Sequence, residues 1–499
     1  MASRGMLPRI GGGGRLNRRE GGLIACRMNE TMSELAVELH EILGPKGWLT
    51  EAEVTGYARD WLDRYGAPPL GVARPASTAE VAAVVSACDL AGVPVIPQGG
   101  NTSLCGAAVA ERPGAVILSL ARMRSIGDPD PDSGTIDVDA GVVLAALHEA
   151  LLPHDLIFPM HLGAEGTAQI GGLISTNAGG SHAARYGMMQ DLVLGLEVVL
   201  HDGAIWDGMR HAQKDNAGYQ LRKLFCGAEG TLGVVTRAVL KLYPAPKQRE
   251  TAFLAIPDLE ALVALGTLIR TEAGEFISAL EFFCDFGLDL ALRHVDGLVY
   301  PLETRAPWYL LVELTAGSMR VPLAEMLSDI LERGFDKAMV VDGTIAMSDS
   351  QRAALWALRE EQPEGQRLEG PQLKHDISVP PGRLAGFLTQ SEALCQAIMP
   401  GVRVNPFGHL GDGNTHYNLS LPEAGGSFDA VNAELALALG GLASDLGGSF
   451  AAEHGLGRSK VALANALRSP TERELMARIK AAFDPDGVLN PGVVVTEKP

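Results

Sequence analysis

The chain has 499 residues, 46% of them hydrophobic and 20% charged, with a formal net charge of -19. That is the composition of a folded globular protein too long for a single core, so two or three domains are expected. The negative charge argues against nucleic-acid partners and anionic membrane surfaces, and no apolar run approaches the roughly eighteen residues of a transmembrane segment.

Residues 1–30 stand apart. Up to position 27 they hold six arginines, one acid (Glu20) and a run of four glycines from Gly11 to Gly14. A mitochondrial presequence is Arg-rich and acid-poor, but no apolar face recurs here, and Met28 or Met32 is an equally good start. A disordered tail or mis-assigned start is the preferred reading, which places the protein in the cytoplasm; a presequence would place it in the mitochondrial matrix. The six cysteines, at 26, 88, 105, 226, 284 and 395, are scattered with no C-x-x-C pair and read as reduced thiols.

Residues 31–245 mix helices and strands. Ser77-Thr78-Ala79-Glu80 resembles a capping box that opens a helix through Ala91, with Val81, Val84, Val85 and Cys88 on one face and Gly92 ending it. Strand-like runs follow at 93–97, 116–120, 135–139, 192–200 and 234–243, with a helix over 142–152 and a turn at Asp202-Gly203. Three glycine-rich loops punctuate this region. The first is Pro97-Gln98-Gly99-Gly100-Asn101-Thr102-Ser103. The second runs from Gly163, Gly166 and Thr167 through Gly171, Gly172 and Ser175 to Asn177, Gly179 and Gly180. The third holds Glu229, Gly230, Gly233, Val234 and Val235. Without Cβ atoms a backbone approaches a ligand closely, and successive amides form anion-binding concavities. Any one loop reads best as a tight turn; three together favour a large phosphate-bearing cofactor. Neither a G-x-G-x-x-G between strand and helix nor a G-K-[ST] loop is present, which disfavours an NAD Rossmann domain and an NTPase.

Beyond Pro244-Ala245-Pro246 the pattern changes. Strand-like segments at 251–256, 308–314, 339–341, 402–407 and 417–421 alternate with amphipathic helices, which suits an antiparallel sheet backed by helices over 246–425 and an α+β class. Residues 426–499 read as largely helical apart from a loop at 447–457.

The sharpest chemistry is in His409-Leu410-Gly411-Asp412-Gly413-Asn414-Thr415-His416, read with Glu453-His454. Asp412-Gly413 suits a two-residue hairpin turn, which would oppose His409 to His416 about 5 Å apart on one face. Glu453 would complete a two-His, one-carboxylate set with an open fourth position. From spacing alone, a metal site and a pair of hydrogen-bonding surface histidines are equally open.

These motifs together resemble the flavin-linked D-2-hydroxy-acid dehydrogenases of the vanillyl-alcohol oxidase / p-cresol methylhydroxylase superfamily. The likeness rests on the three glycine loops, Trp356-Ala357-Leu358-Arg359-Glu360, Lys374-His375-Asp376, the His409–His416 stretch, Glu453-His454-Gly455 and Asp484-Pro485-Asp486-Gly487-Val488-Leu489-Asn490-Pro491-Gly492. It runs from about residue 30 to the end and is strongest toward the D-2-hydroxyglutarate dehydrogenases; D-lactate and glycolate dehydrogenases share the layout. The resemblance implies a two-subdomain FAD-binding domain over 31–245, a substrate-binding cap over 246–425 and a C-terminal segment that returns to the flavin, with Asn490 added to the cofactor residues. No histidine lies between Pro97 and Gly106, so FAD is expected to be non-covalent.

The same resemblance implies a divalent metal, zinc before manganese or cobalt, held by His409, His416 and Glu453, with His454 as the base that takes the substrate hydroxyl proton. Arg359, in a helix expected to stop before Pro363, with Lys374 and Asn418, would hold the substrate; spacing alone would leave Arg359 and Lys374 as solvated cations. One departure stands out. A hydroxyl-bearing residue is expected one turn past the arginine, toward the distal carboxylate, and Pro363 occupies that place without a donor. D-2-hydroxyglutarate is therefore the first substrate, and D-lactate or another short D-2-hydroxy acid the alternative. The electron acceptor implied is an electron-transfer flavoprotein or a quinone, and a homodimer is compatible with the sequence. Two readings from other classes remain: a zinc hydrolase of a phosphorylated substrate, which would be colourless, and a scaffold with a structural metal.

Overall fold

A computed structural model describes residues 18–496, with the side chains of 18–29 left aside. Residues 1–17 lie outside the description, but from Arg18 the chain is helical to Leu43 rather than a disordered tail. The end of this helix is fixed by Leu35, Leu39 and Leu43, which join the same buried cluster as Val81, Val84 and Val85.

Among the described residues the first half builds two four-stranded sheets. In one, Gly71–Ala73, Val116–Ser119 and Val95–Gln98 run parallel, with Trp48–Leu49 antiparallel at the edge. The helix Thr78–Ala91 begins where Ser77 Oγ accepts the Glu80 amide and ends at Gly92, whose φ of 63° a side chain would resist. The other sheet is antiparallel, in the order Thr135–Asp139, Val234–Lys241, Val193–Val199, Ile205–Gly208. One apolar core joins them, with Leu118, Leu147, Ile174, Leu196 and Leu240 among its members.

The second half is built on a seven-stranded antiparallel sheet. Its order is Asp342–Ile345, Gln248–Ile256, Trp308–Ala316, Ile277–Cys284, Arg403–His409, Asn414–Ser420, Gln372–Ser378. One face packs on the helices Leu259–Ala273, Leu323–Asp336, Leu384–Ile398 and Asn432–Asp445. The opposite face is aromatic toward one edge, where Phe253, Phe283, Tyr309 and Phe407 meet Leu355 and Leu358, and polar toward the other.

Two strands of this large sheet escaped the sequence reading. Ile277–Cys284 is buried at every position, so it lacks the alternation that marks a half-exposed strand, and Gln372–Ser378 is polar at its centre. Conversely, residues 339–341 form no strand; Met339 and Val340 turn into the core, and the edge strand begins at Asp342.

After the helix Pro470–Phe483 the chain returns to the first half. Val488 and Leu489 enter its core, and Val95 exchanges hydrogen bonds with Val488 and Asn490, both 2.9 Å. Asp484 locks this return. Its buried carboxylate accepts the amides of Val488 and Leu489 and pairs with Lys480, which also donates to the carbonyls of Thr231 (2.8 Å) and Leu489 (2.7 Å). Asp484→Ala strands buried donors and is expected to cost about 3 kcal/mol. A urea midpoint equal to that of the unaltered protein would show that the clasp contributes nothing.

Candidate active site

The strands Arg403–His409 and Asn414–Ser420 form the expected hairpin, in a different register. His409 faces Asn414 and His416 faces Phe407, so four residues close the loop where a two-residue turn was expected. Leu410 is the reason. Its side chain is fully buried in the core beneath the sheet and its amide donates to Leu280 O at 2.8 Å, which removes it from the ladder. The slip is two residues, an even number, so both imidazoles keep the same face. They lie diagonally, with ring centroids 5.6 Å apart.

Glu453 and His454 come to this face on a loop hung from the strand Gln372–Ser378. Asp376 Oδ2 accepts three amides, from Ala452 (3.1 Å), Glu453 (2.9 Å) and His454 (2.8 Å). Glu453 Oε1 then lies 3.5 Å from His416 Nε2 and 3.7 Å from His454 Nε2, and Oε2 lies 4.0 Å from His409 Nε2. The His454 ring stacks over His416 at 5.5 Å, with Nδ1 3.7 Å from Asp376. Ligand atoms around tetrahedral zinc, with bonds of about 2.0 Å, lie roughly 3.3 Å apart. His416 and Glu453 therefore need only small side-chain movements to close on an ion, whereas His409, 4.0 Å from Glu453 Oε2, falls outside the group of donor atoms that all lie within 4.8 Å of one another. Asp376, which sequence reading left out of the ligand set, also brings an oxygen within 4.8 Å of donor atoms on His416, Glu453 and His454.

The two imidazoles are electrostatically unlike. Burial and the neighbouring His454 push His416 well below the ordinary histidine range. Burial also works against charge on His409, but the Glu281 carboxylate, 2.6 Å from its Nδ1, prevails and raises it to about 9. For Asp376 burial is likewise outweighed, by His454, Lys460 and His416, and the carboxyl is held well below its usual range.

Glu281 is buried at the centre of the sheet and holds two of the expected site residues at once. One oxygen accepts from His409 Nδ1 and the other from Arg359 Nε at 2.8 Å. Arg359, far from solvated, is 9% exposed and lies over the Phe407 ring at 4.7 Å. Its helix, Asp349–Glu360, does stop ahead of Pro363, which sits in the first turn of the next helix, Gln362–Glu369. Asn418 is buried and donates to Gln366 Oε1 at 2.7 Å, so part of its hydrogen-bonding capacity is already committed to the protein. Lys374, paired with Asn418 across the strands, is exposed.

The three glycine loops meet. A Cβ on Gly100 would lie 2.0 Å from Thr167 O, one on Gly99 3.5 Å from Gly172 Cα, and one on Gly230 3.0 Å from Pro97. Among the described residues the amides of Gly100, Asn101 and Thr102 donate to no protein acceptor, and buried oxygens of Asn101 and Gln169 have no partner. Gly163 and Gly166 face open space. Such a cradle of free amides and missing Cβ atoms fits a pyrophosphate-bearing cofactor. It also abuts the imidazole cluster, because a Cβ on Gly179 would lie 2.9 Å from Glu453 Oε2.

Not every residue assigned to that cradle turns its side chain inward. Glu229 spends its carboxylate on the amides of Leu456 (2.8 Å) and Gly457 (2.9 Å). Asn490 donates to Ala107 O and Glu229 O, and Val234 and Val235 pack in the core. Thr167 and Ser175 hydroxyls return to backbone carbonyls, and the Asn177 side chain accepts the Gln190 amide. These positions can meet a cofactor chiefly through their backbone.

Residues 69–208 match the family model described as FAD binding domain, and residues 245–494 match FAD linked oxidases, C-terminal domain. The chain belongs to the FAD-linked oxidases. This FAD-linked oxidase is 37% identical over 443 residues to D-2-hydroxyglutarate dehydrogenase of Xanthomonas citri pv. viticola, covering 88% of this chain and 92% of that one. It is 36% identical to the mitochondrial D-2-hydroxyglutarate dehydrogenase of Rattus norvegicus (92% and 85% covered). It is 34% identical to the D-2-hydroxyglutarate–pyruvate transhydrogenase of Saccharomyces cerevisiae (88% and 89%). In fold it matches p-cresol methylhydroxylase with a TM-score of 0.73 at 17% identity, covering 93% and 96% of the two chains. The 4-ethylphenol oxidase of Gulosibacter chungangensis gives 0.71 at 18%, covering 94% and 98%. The α+β architecture expected from the sequence is thus the one observed, and FAD is the cofactor of the family.

Sequence reading of this FAD-linked oxidase missed Glu281 and left Asp376 inside a motif without a role. Only the burial of a carboxylate in an apolar run, Ala279-Leu280-Glu281-Phe282-Phe283, carried a signal for the first. Glu281→Ala leaves Arg359 and His409 without their shared anion in a dry site and is expected to cost 3 kcal/mol or more, on the order measured for broken buried pairs. Thermal unfolding of the FAD-loaded enzyme checks this, and Glu281→Gln, which keeps the shape, should lose less.

Proposed function

We propose that this enzyme oxidises a D-2-hydroxy acid, D-2-hydroxyglutarate in the first place, to its 2-oxo acid. The observation that carries the reading is the packing of Glu453, between two imidazoles and beside His454, directly against Gly179 of the flavin cradle. The names of the Xanthomonas citri and Rattus norvegicus relatives support the substrate. FAD, when bound, supplies the acceptor for the substrate hydride. A divalent ion such as zinc, held by His409, His416 and Glu453, would supply Lewis acidity toward the hydroxyl and a carboxylate oxygen.

The remaining work falls to the chain's own side chains. His454 takes the hydroxyl proton at Nε2, since the Asp376 carboxylate beside Nδ1 favours keeping a proton on that nitrogen. Arg359 gives Nε to Glu281 and keeps its two terminal nitrogens for a substrate carboxylate. Lys374 adds a point charge, and Asn418 a hydrogen bond from the same face.

Pro363 favours a second reading, in which the substrate is shorter, such as D-lactate, because nothing at that position can donate to a distal carboxylate. Electron-transfer flavoprotein or a quinone would reoxidise the flavin; the yeast relative's name adds a 2-oxo acid as a third class of acceptor. No described helix is long and apolar enough to cross a membrane, and we place the enzyme in the cytoplasm or, by likeness to the mitochondrial relatives, in the matrix.

Anaerobic stopped-flow mixing with D- and L-2-hydroxy acids decides between these readings. D-2-hydroxyglutarate should bleach the flavin and its L-enantiomer should not; faster bleaching by D-lactate selects the second reading, and silence from every D-acid removes both. His454→Asn should slow bleaching by roughly 10²–10⁴-fold, the usual worth of a general base, with the flavin still bound. Stripping the metal with a chelator should abolish bleaching, and readdition of zinc should restore it.

A further inference from the structure

A second group of ligand-type side chains lies outside the site just described. His148 comes from the helix Leu144–Leu151, His161 from the segment just before the second glycine loop, and Glu165 from the first residues of that loop. Their rings and carboxylate meet at one point. Glu165 Oε2 is 3.2 Å from His161 Nδ1 and 3.8 Å from His148 Nδ1, and the two rings are 4.6 Å apart. One donor atom from each residue lies within 4.8 Å of the others. On the far side of His161, at 4.9 Å, stands His182, whose buried Nδ1 finds no hydrogen-bond partner among the described residues.

We propose that His148, His161 and Glu165 form a second divalent-metal site, zinc-like in its ligand set, distinct from the His409, His416 and Glu453 cluster. Two imidazole nitrogens and one carboxylate oxygen at these separations approach the roughly 3.3 Å edges of a zinc tetrahedron and leave a fourth position for water. The alternative account is an i,i+4 hydrogen bond between His161 and Glu165 with His148 drawn to the same carboxylate and to the backbone of Phe158 and Met160; metal content tells the two apart.

The position gives such an ion a mechanical consequence. His161 and His182 bracket the second glycine loop, from Gly163 to Gly180, and His148 belongs to the helix packed beneath it. An ion there would tie the loop's entry to that helix, whatever the substrate. It needs no residue of the oxidation site.

Metal content of the FAD-loaded protein, equilibrated with zinc and freed of excess by gel filtration, tests the proposal. His148→Ala should carry one ion per chain fewer than the unaltered protein, and Glu453→Gln should lose the other. Equal zinc in the unaltered protein and in His148→Ala overturns the second site. Flavin absorbance per chain reports whether the variant is folded; should His148→Ala lose its flavin, Glu165→Gln, nearly isosteric, decides by the same count. The two sites fail separately. A chain whose single ion departs with Glu453→Gln lacks the second site, and one whose single ion departs with His148→Ala lacks the first.

Discussion

The loop that carries Glu453 and His454 has neither helix nor strand to fix it, and two buried carboxylates hold it instead. Asp376, from the edge strand of the large sheet, accepts the amides of residues 452, 453 and 454; Glu229, from the third glycine loop, accepts those of 456 and 457. One carboxylate belongs to the second half of the chain and the other to the first, so the loop is stretched between the two. Amide hydrogen bonds to an ionised carboxylate are roughly twice as strong as neutral ones, and here they fix the backbone that carries Glu453 and His454. Gly457 belongs to this clamp as well: its φ is 52°, and a Cβ there would strike Cys105 O at 2.1 Å.

The sheet supplies a second constraint. Its outer face changes from aromatic to polar over a few residues, and Phe407 marks the border, with Phe283 opposite it on one side and His416 on the other. Arg359 lies across that border, its guanidinium over the Phe407 ring and its Nε on Glu281. A planar cation clamped on two sides keeps its orientation without help from solvent, which is the condition for a fork-like grip on a carboxylate.

Much of this was legible in the sequence because it depends on local chemistry. Glycine loops, helix caps and the His409–His416 hairpin are written in consecutive residues. Even the wrong hairpin register gave the right face, since strands repeat every two residues and Leu410 displaced the ladder by an even number. Glu281 and Asp376 were not legible. Glu281 reaches a histidine 128 positions away, Asp376 an amide 78 positions away, and both stand on strands with no polar–apolar alternation to betray them. The strand Ile277–Cys284 and its buried glutamate were hidden by one cause: when both faces of a sheet are covered, burial erases the pattern that sequence reading uses.

Charge explains why these hidden acids matter to the exposed motif. Around the imidazoles three carboxylates are buried or nearly so, Glu281, Asp376 and Glu453, against two fixed cations, Arg359 and Lys460, the latter 3.9 Å from Asp376. A proton on His409 balances the set, and the Glu281 carboxylate favours that proton against the cost of burial. An ion bound at His409 must displace it, because a histidine ligand is neutral. The cluster then has a surplus negative charge, to which a hydroxy-acid carboxylate adds another. A divalent cation cancels both, whereas a proton cancels only one. On this account Glu281 has two effects on His409 that oppose each other: it orients the ring and raises its basicity for a metal, and it stabilises the proton the metal must expel.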